Sequence, residues 1–182
     1  MDLICSRAEG VLFDARRKLM ETTRKRLLYL LLIGAAPLMA QDDCKMVMDA
    51  LTKVFETPTH AYVTMNITGN AQTGESIFAG GLIYAKYDGK WSSGMTTQEM
   101  KQLTEKNRKN NKTTCRYLND ELINGENTAV YTVHEVSPKS TSDSKTWISK
   151  SKGLPLRSVT DLDSGKNRVS TRYEYGNVKP PM

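Results

Sequence analysis

Histidine is almost missing from this chain. Its 182 residues include two, His60 and His134, together with three cysteines and two tryptophans. A structural zinc centre takes about four His, Cys or acidic ligands at recognisable spacings. Neither histidine stands at such a spacing, so no metal site is expected. No Gly-x-Ser-x-Gly elbow, phosphate-binding glycine loop or dinucleotide fingerprint occurs. Serines are plentiful, so counting leaves a Ser-His-acid arrangement open, but no motif marks one. Asp161 and Asp163 flank a turn and are read as turn-capping residues. The expectation is a protein that is not an enzyme and uses no cofactor.

Long hydrophobic runs are missing too. The longest, Leu27 to Ala36, is interrupted by Tyr29 and Gly34. It falls short of the roughly 20 residues that span a bilayer comfortably. What stands there instead is an export pattern. Arg24, Lys25 and Arg26 precede the apolar run, Pro37 breaks it, and Ala40 supplies a small residue for cleavage. Residues 1–40 are read as a leader, with 20–40 as the signal peptide and 1–19 as a possible upstream extension before a true start at Met20. A long n-region or an uncleaved anchor are the alternatives. Gln41, Asp42 and Asp43 precede Cys44 where a lipobox would need apolar and small residues, so a soluble periplasmic or secreted product of 41–182 is favoured.

Charge of one sign is also modest. Seven of the 26 Lys+Arg and four of the 20 Asp+Glu lie in 1–40, which leaves a formal charge of +3 on 41–182. That balance gives no support to a nucleic-acid partner. Export leaves Cys44 and Cys115 as an even pair in an oxidising compartment, and a disulfide between them is expected. Two separate thiols are the alternative.

What the chain does have is periodicity. Val47, Leu51 and Val54, with Met46, Ala50 and Phe55 beside them, form one helical stripe. Asp42 or Asp43 is expected to cap this helix and Pro58 to end it. Ala61, Val63, Met65 and Ile67 then alternate with polar partners as a strand with one dry face. Residues 69–74 read as turn, and 75–91 as a second strand region with a bulge or bend at Gly80-Gly81. Asp88-Gly89 and Asn124-Gly125 are hairpin signals. Thr96 and Glu99 form a capping box, followed by a short stripe of Met100 and Leu103. Lys106, Arg108, Lys109 and Lys112 follow as a solvated helix end or a mobile loop, or as a basic contact for anionic lipid or an acidic partner. Residues 137–144 read as a polar connection. Strands are expected over 145–150, 156–161 and 167–175, with Val169, Thr171, Tyr173 and Tyr175 on one face. The aromatic set of Tyr62, Tyr84, Tyr87, Tyr131, Tyr173, Tyr175, Trp91 and Trp147 is read chiefly as cross-strand packing.

The sum is an α+β fold: a curved antiparallel sheet, an unclosed half-barrel, with an N-terminal helix and a short mid-chain helix covering its concave face. In the last third, Trp147, Lys150, Gly153, Leu154, Pro155, Leu156, Tyr173 and Tyr175 resemble the C-terminal half of the LolA, LolB and LppX lipoprotein-carrier superfamily. The resemblance implies a helical lid over an apolar cavity that takes lipid or lipoprotein acyl chains, with no catalytic role. No match is found for the arginine that the soluble lipoprotein carrier uses on an early strand, where Tyr62, Thr64 or Lys86 stand. The candidate cavity residues are Val47, Leu51, Val63, Met65, Ile67, Ile77, Ala79, Ile83, Met100 and Leu103. The partners expected are lipid or acyl chains, with transient membrane contact. An envelope interaction module with a filled core is the competing expectation.

Overall fold

The computed structural model describes residues 39–162 and 165–181. Residues 1–38, 163, 164 and 182 lie outside them, and with them the expectations placed on Asp163 and on all of the expected leader 1–40 except its last two residues. Two helices and nine strands follow in order. They are α1 (Met39–Val54), β1 (Thr59–Ile67), β2 (Asn70–Ala79), β3 (Leu82–Tyr87), β4 (Lys90–Thr96), α2 (Thr97–Asn110), β5 (Lys112–Ile123), β6 (Glu126–Val136), β7 (Thr141–Ser149), β8 (Pro155–Leu162) and β9 (Asn167–Tyr175). All nine strands form one antiparallel sheet in the order β4-β3-β2-β1-β9-β8-β7-β6-β5. Two meanders therefore run to opposite edges and meet at a central β1–β9 seam.

The link between the meanders explains the curvature. Strands sit about 4.8 Å apart, so nine laid flat would put the edges β4 and β5 about 38 Å apart. The chain joins them through α2 and its end residues alone, and a 14-residue helix is about 21 Å long. The sheet must curve to bring its edges within that reach. It does so as an open half-barrel, and α2 packs against both edge strands.

Hairpin chemistry sets the register. Thr68-Gly69, Gly80-Gly81, Asp88-Gly89 and Asn124-Gly125 all have positive φ at both positions. That is the conformation of two-residue hairpin turns matched to strand twist. Two sequence expectations are corrected here. The turn after β1 is Thr68-Gly69, and 70–74 already belongs to β2. Gly80-Gly81 is a turn between two strands, because two residues that both tolerate positive φ form the tightest reversal available. Bulges occur instead at 82/84, 117/119 and 147/148. Residues 141–144 extend β7 where a loop was expected, since they pair with 133–136 of β6 and, from 142, with β8.

Helix α1 packs chiefly on β5, and also on β6, β7 and β8. Val47 and Ala50 join Cys115, Ala129, Tyr131, Val133 and Ile148 in the core, with Leu51 packed against it. Met46, expected beside the stripe, is 54% exposed. The helix starts before the aspartates expected to cap it. Asp43 instead accepts a hydrogen bond from the Tyr117 N–H at 2.9 Å, which uses up an outward donor of the edge strand. The Cys44–Cys115 disulfide forms beside it. At the other end, Lys53 Nζ donates to the Lys152 carbonyl at 2.6 Å. The helix ends at Val54, ahead of Pro58, in a turn closed by Phe55, Glu56 and Thr57 N–H bonds.

Thr68 holds φ at 49°, a conformation that β-branched residues rarely adopt and asparagine tolerates. Replacing it (Thr68→Asn) is expected to raise stability by about 0.5–1 kcal/mol, read as a higher denaturant midpoint at unchanged slope.

Candidate functional site

Directly paired residues in an antiparallel sheet share a face, so the register sorts every strand residue. One face carries α1 and is called the helix face; the other is the open face.

On the helix face, one register row runs Gly74, Val63, Thr171, Ser158, Thr146 and Tyr131 across β2, β1, β9, β8, β7 and β6. Its neighbour on one side is Ala85, Ser76, Ala61 and Tyr173, and on the other Gln72, Met65, Val169, Thr160 and Ser144. Most of these side chains are small. The floor over β1, β2 and β9 is therefore low, and α1 is concentrated over β5–β8. The end of α1 reaches this half through the Phe55–Phe78 ring contact at 5.9 Å and a Thr59 hydroxyl bond to the Val54 carbonyl. Tyr173 and Tyr175 stack at 6.4 Å along its rim. Burial pushes both hydroxyls above the usual tyrosine range.

The candidate cavity residues divide. Val63, Met65 and Ile67 share the helix face, as does Ile83, which pairs with Phe78. Ile77 and Ala79 lie on the open face, in line with His60 and Tyr84. The hairpin at Gly80-Gly81 resets the alternation that a continuous strand would have kept. Val47 is wholly buried core and Leu51 packs beside it. Met100 is half-buried on α2, and Leu103 is exposed.

The open face is built differently. A single row crosses all nine strands: Trp91, Lys86, Glu75, Tyr62, Arg172, Arg157, Trp147, Val130 and Asn119. Cations lie over its rings: Lys86 over Trp91 at 5.6 Å, Arg172 over Tyr62 at 4.2 Å, and Lys145 and Arg157 over Trp147 at 4.7 and 5.0 Å. Glu75 accepts from Lys86 and faces His60 Nε2, both at 2.9 Å. The Trp147 indole donates to Glu121 at 2.6 Å and Lys145 Nζ to the same carboxylate at 3.0 Å. These donors hold the Glu75 and Glu121 carboxyls below their usual range. The row is an interlocked outer skin. Its rings are already covered, which suits structure better than ligand stacking.

Beside it run shallow grooves. One of about 660 Å³ is lined by Thr114, Arg116, Thr132, His134, Asp161 and Arg168 among others. Another of about 690 Å³ is lined by residues including Tyr62, Thr64, Arg157 and Arg172. His134 faces Asp143 at 2.8 Å, and Arg168 grips Asp161 with two bonds at 2.6 and 3.0 Å. Asp161 is thus an ion-pair partner within β8. No group of three or more His, Cys, Asp or Glu suited to a metal occurs among the described residues.

The motif of the last third has a mechanical role. Ser149 N–H donates to the Leu154 carbonyl, and Gly153 N–H donates back to Ser149. Leu154 is buried and Pro155 opens β8. This turn is the dock for Lys53 of α1. Lys150 pairs with Asp120 of β5 at 2.7 Å.

No family model and no curated protein matches this chain. Solved structures do. The lipoprotein LppX of Mycobacterium tuberculosis is 16% identical, covering 76% of this chain and 97% of its own, with a TM-score of 0.45. LprF of Mycobacterium bovis is 11% identical over 78% and 98%, with a TM-score of 0.45. The MucA/MucB complex of Pseudomonas aeruginosa is matched at 14% identity and a TM-score of 0.47, over 76% of this chain and 59% of that one. The likeness is one of overall fold.

Sequence reading did not anticipate the cluster around Glu126. Lys152 Nζ donates to it at 2.8 Å, Ser151 at 2.9 Å, and the buried Ser149 hydroxyl also donates. These donors lower its pKa from 4.5 to about 2. A depressed carboxylate contributes stability that is present above pH 4.5 and lost as the pH falls toward 2. Glu126→Gln is therefore expected to be less stable than the parent at pH 7, with the gap closing on acidification and gone only below about pH 2. Denaturant titrations at stepped pH measure this.

Proposed function

We propose that the chain is an exported, non-catalytic carrier or binding protein for a lipid-like, acyl-chain ligand, held on the helix face over β1, β2, β3 and β9. The observation that carries the reading is the uneven cover of that face. Helix α1 is concentrated over β5–β8, while Val63, Met65, Phe78, Ile83 and Val169 stay only half-buried over a floor of small side chains. Apolar surface of this kind gains free energy from an apolar ligand at roughly 25 cal/mol per Å² covered. The Cys44–Cys115 disulfide supports an extracytoplasmic, periplasmic or secreted location, reached by cleavage near Ala40.

A second reading, an envelope interaction module, is favoured by Met46, Tyr117, Leu118 and Leu122, which are all exposed around the β5 edge. MucB, one of the structures matched, was solved in complex with MucA.

A fluorescent polyunsaturated fatty acid separates the readings. Under the carrier reading the protein binds it, Val63→Asp and Met65→Asp each weaken binding at least tenfold, and Leu122→Asp leaves it unchanged. Failure of the parent to bind, or loss of binding in Leu122→Asp alone, would contradict the carrier.

A further inference from the structure

We infer that α2 is a docking element for an anionic lipid surface. This deepens the carrier reading and rests on it for its purpose, although the docking itself is tested without an acyl ligand. Three observations converge on this helix. No residue of α2 is buried, so fourteen residues are held mainly by their ends and by a few inward contacts. Its inward side is made by the half-buried Met100, Lys101 and Thr104, with Lys101 paired to Glu56 at 2.5 Å.

At 100° per residue, the opposite side carries Glu99, Gln102, Leu103, Lys106 and Lys109. Leu103 is 43% exposed there. The one acid on this side, Glu99, is engaged by the capping box, where it accepts from the Thr96 N–H and hydroxyl at 2.8 Å each. Arg108 is neutralised by Glu105 at 3.1 Å. Among the described residues Lys106, Lys109 and the adjoining Lys112 enter no ion pair. The outward side is thus an apolar residue beside uncompensated ammonium groups, the composition of a helix that lies in a headgroup layer.

Position supplies the reason. Helix α2 joins β4 to β5 and touches both edges of the half-barrel. A surface that holds α2 therefore holds the opening of the sheet against the membrane, where an acyl chain has a short path between bilayer and helix face. The occupant that fits is phosphatidylglycerol or another lipid with a net negative headgroup. An acidic protein would satisfy the lysines and leave Leu103 without a partner.

The test is co-sedimentation of the protein, purified as the cell produces it, with vesicles of phosphatidylcholine alone or with one quarter phosphatidylglycerol. Binding to the anionic vesicles, lost in 0.5 M salt, is expected. The triple variant Lys106→Gln, Lys109→Gln, Lys112→Gln is expected to bind about 100-fold more weakly, at roughly fivefold for each cation removed. Leu103→Ser also weakens it. The equal charge change elsewhere (Lys90→Gln, Lys139→Gln, Lys166→Gln) leaves it intact. The lysine triple variant should keep its fatty-acid binding, which separates failure of docking from failure of the carrier reading. The inference is overturned by equal binding to neutral vesicles, by equal loss in the control triple variant, or by soluble polyglutamate competing as well as anionic vesicles do.

Discussion

The reach of α2 is the constraint from which the rest follows. Two antiparallel meanders pair at their free ends, β1 with β9, and so become one sheet of nine strands. Because a single short helix must connect the far edges, the sheet cannot lie flat. Curvature creates two unequal faces, and the protein treats them differently. The helix face receives α1. The open face is finished with a row of stacked cations, aromatic rings and carboxylates that ties neighbouring strands together.

The second constraint is where α1 is fastened. Asp43, Cys44 and Lys53 fix it at three points: the Tyr117 N–H, the Cys115 sulfur and the Lys152 carbonyl. The disulfide closes a separation of 71 residues, which the chain-entropy account values at about 4 kcal/mol. These ties hold the helix toward β5 and its neighbours, and Asp43 occupies one outward N–H of an edge strand that would otherwise invite pairing. The same ties leave the apolar residues of β1, β3 and β9 with partial cover. Anchoring of the helix at β5 and partial cover of the far half of the helix face thus come from one placement.

Much of this was legible in the residues. The helix stripe of Val47, Leu51 and Val54, the alternation in β1, the Thr96–Glu99 box and the hairpins at Asp88-Gly89 and Asn124-Gly125 all rest on local patterns, while the Cys44–Cys115 pairing followed from an even cysteine count in an exported chain. The misreadings share a cause. Gly80-Gly81 suits a bulge or a turn equally well on local grounds, and only cross-strand pairing decides between them. That ambiguity put Ile77 and Ala79 on one face with Ile83, from which the hairpin separates them. Asp43 had the chemistry of a helix cap and was taken by an edge-strand N–H far away in sequence. The Glu126 cluster and the row from Trp91 to Asn119 join residues on strands distant in sequence, and no local signal announces them.

The most direct measurement is native mass spectrometry of the protein recovered from the cells that produce it, paired with a spectrum of the denatured chain. The account expects a native mass that exceeds the denatured one by one lipid-sized ligand, lost on unfolding and absent from Val63→Asp. Bare protein from repeated preparations, or an adduct that survives in Val63→Asp, would contradict a ligand on the helix face.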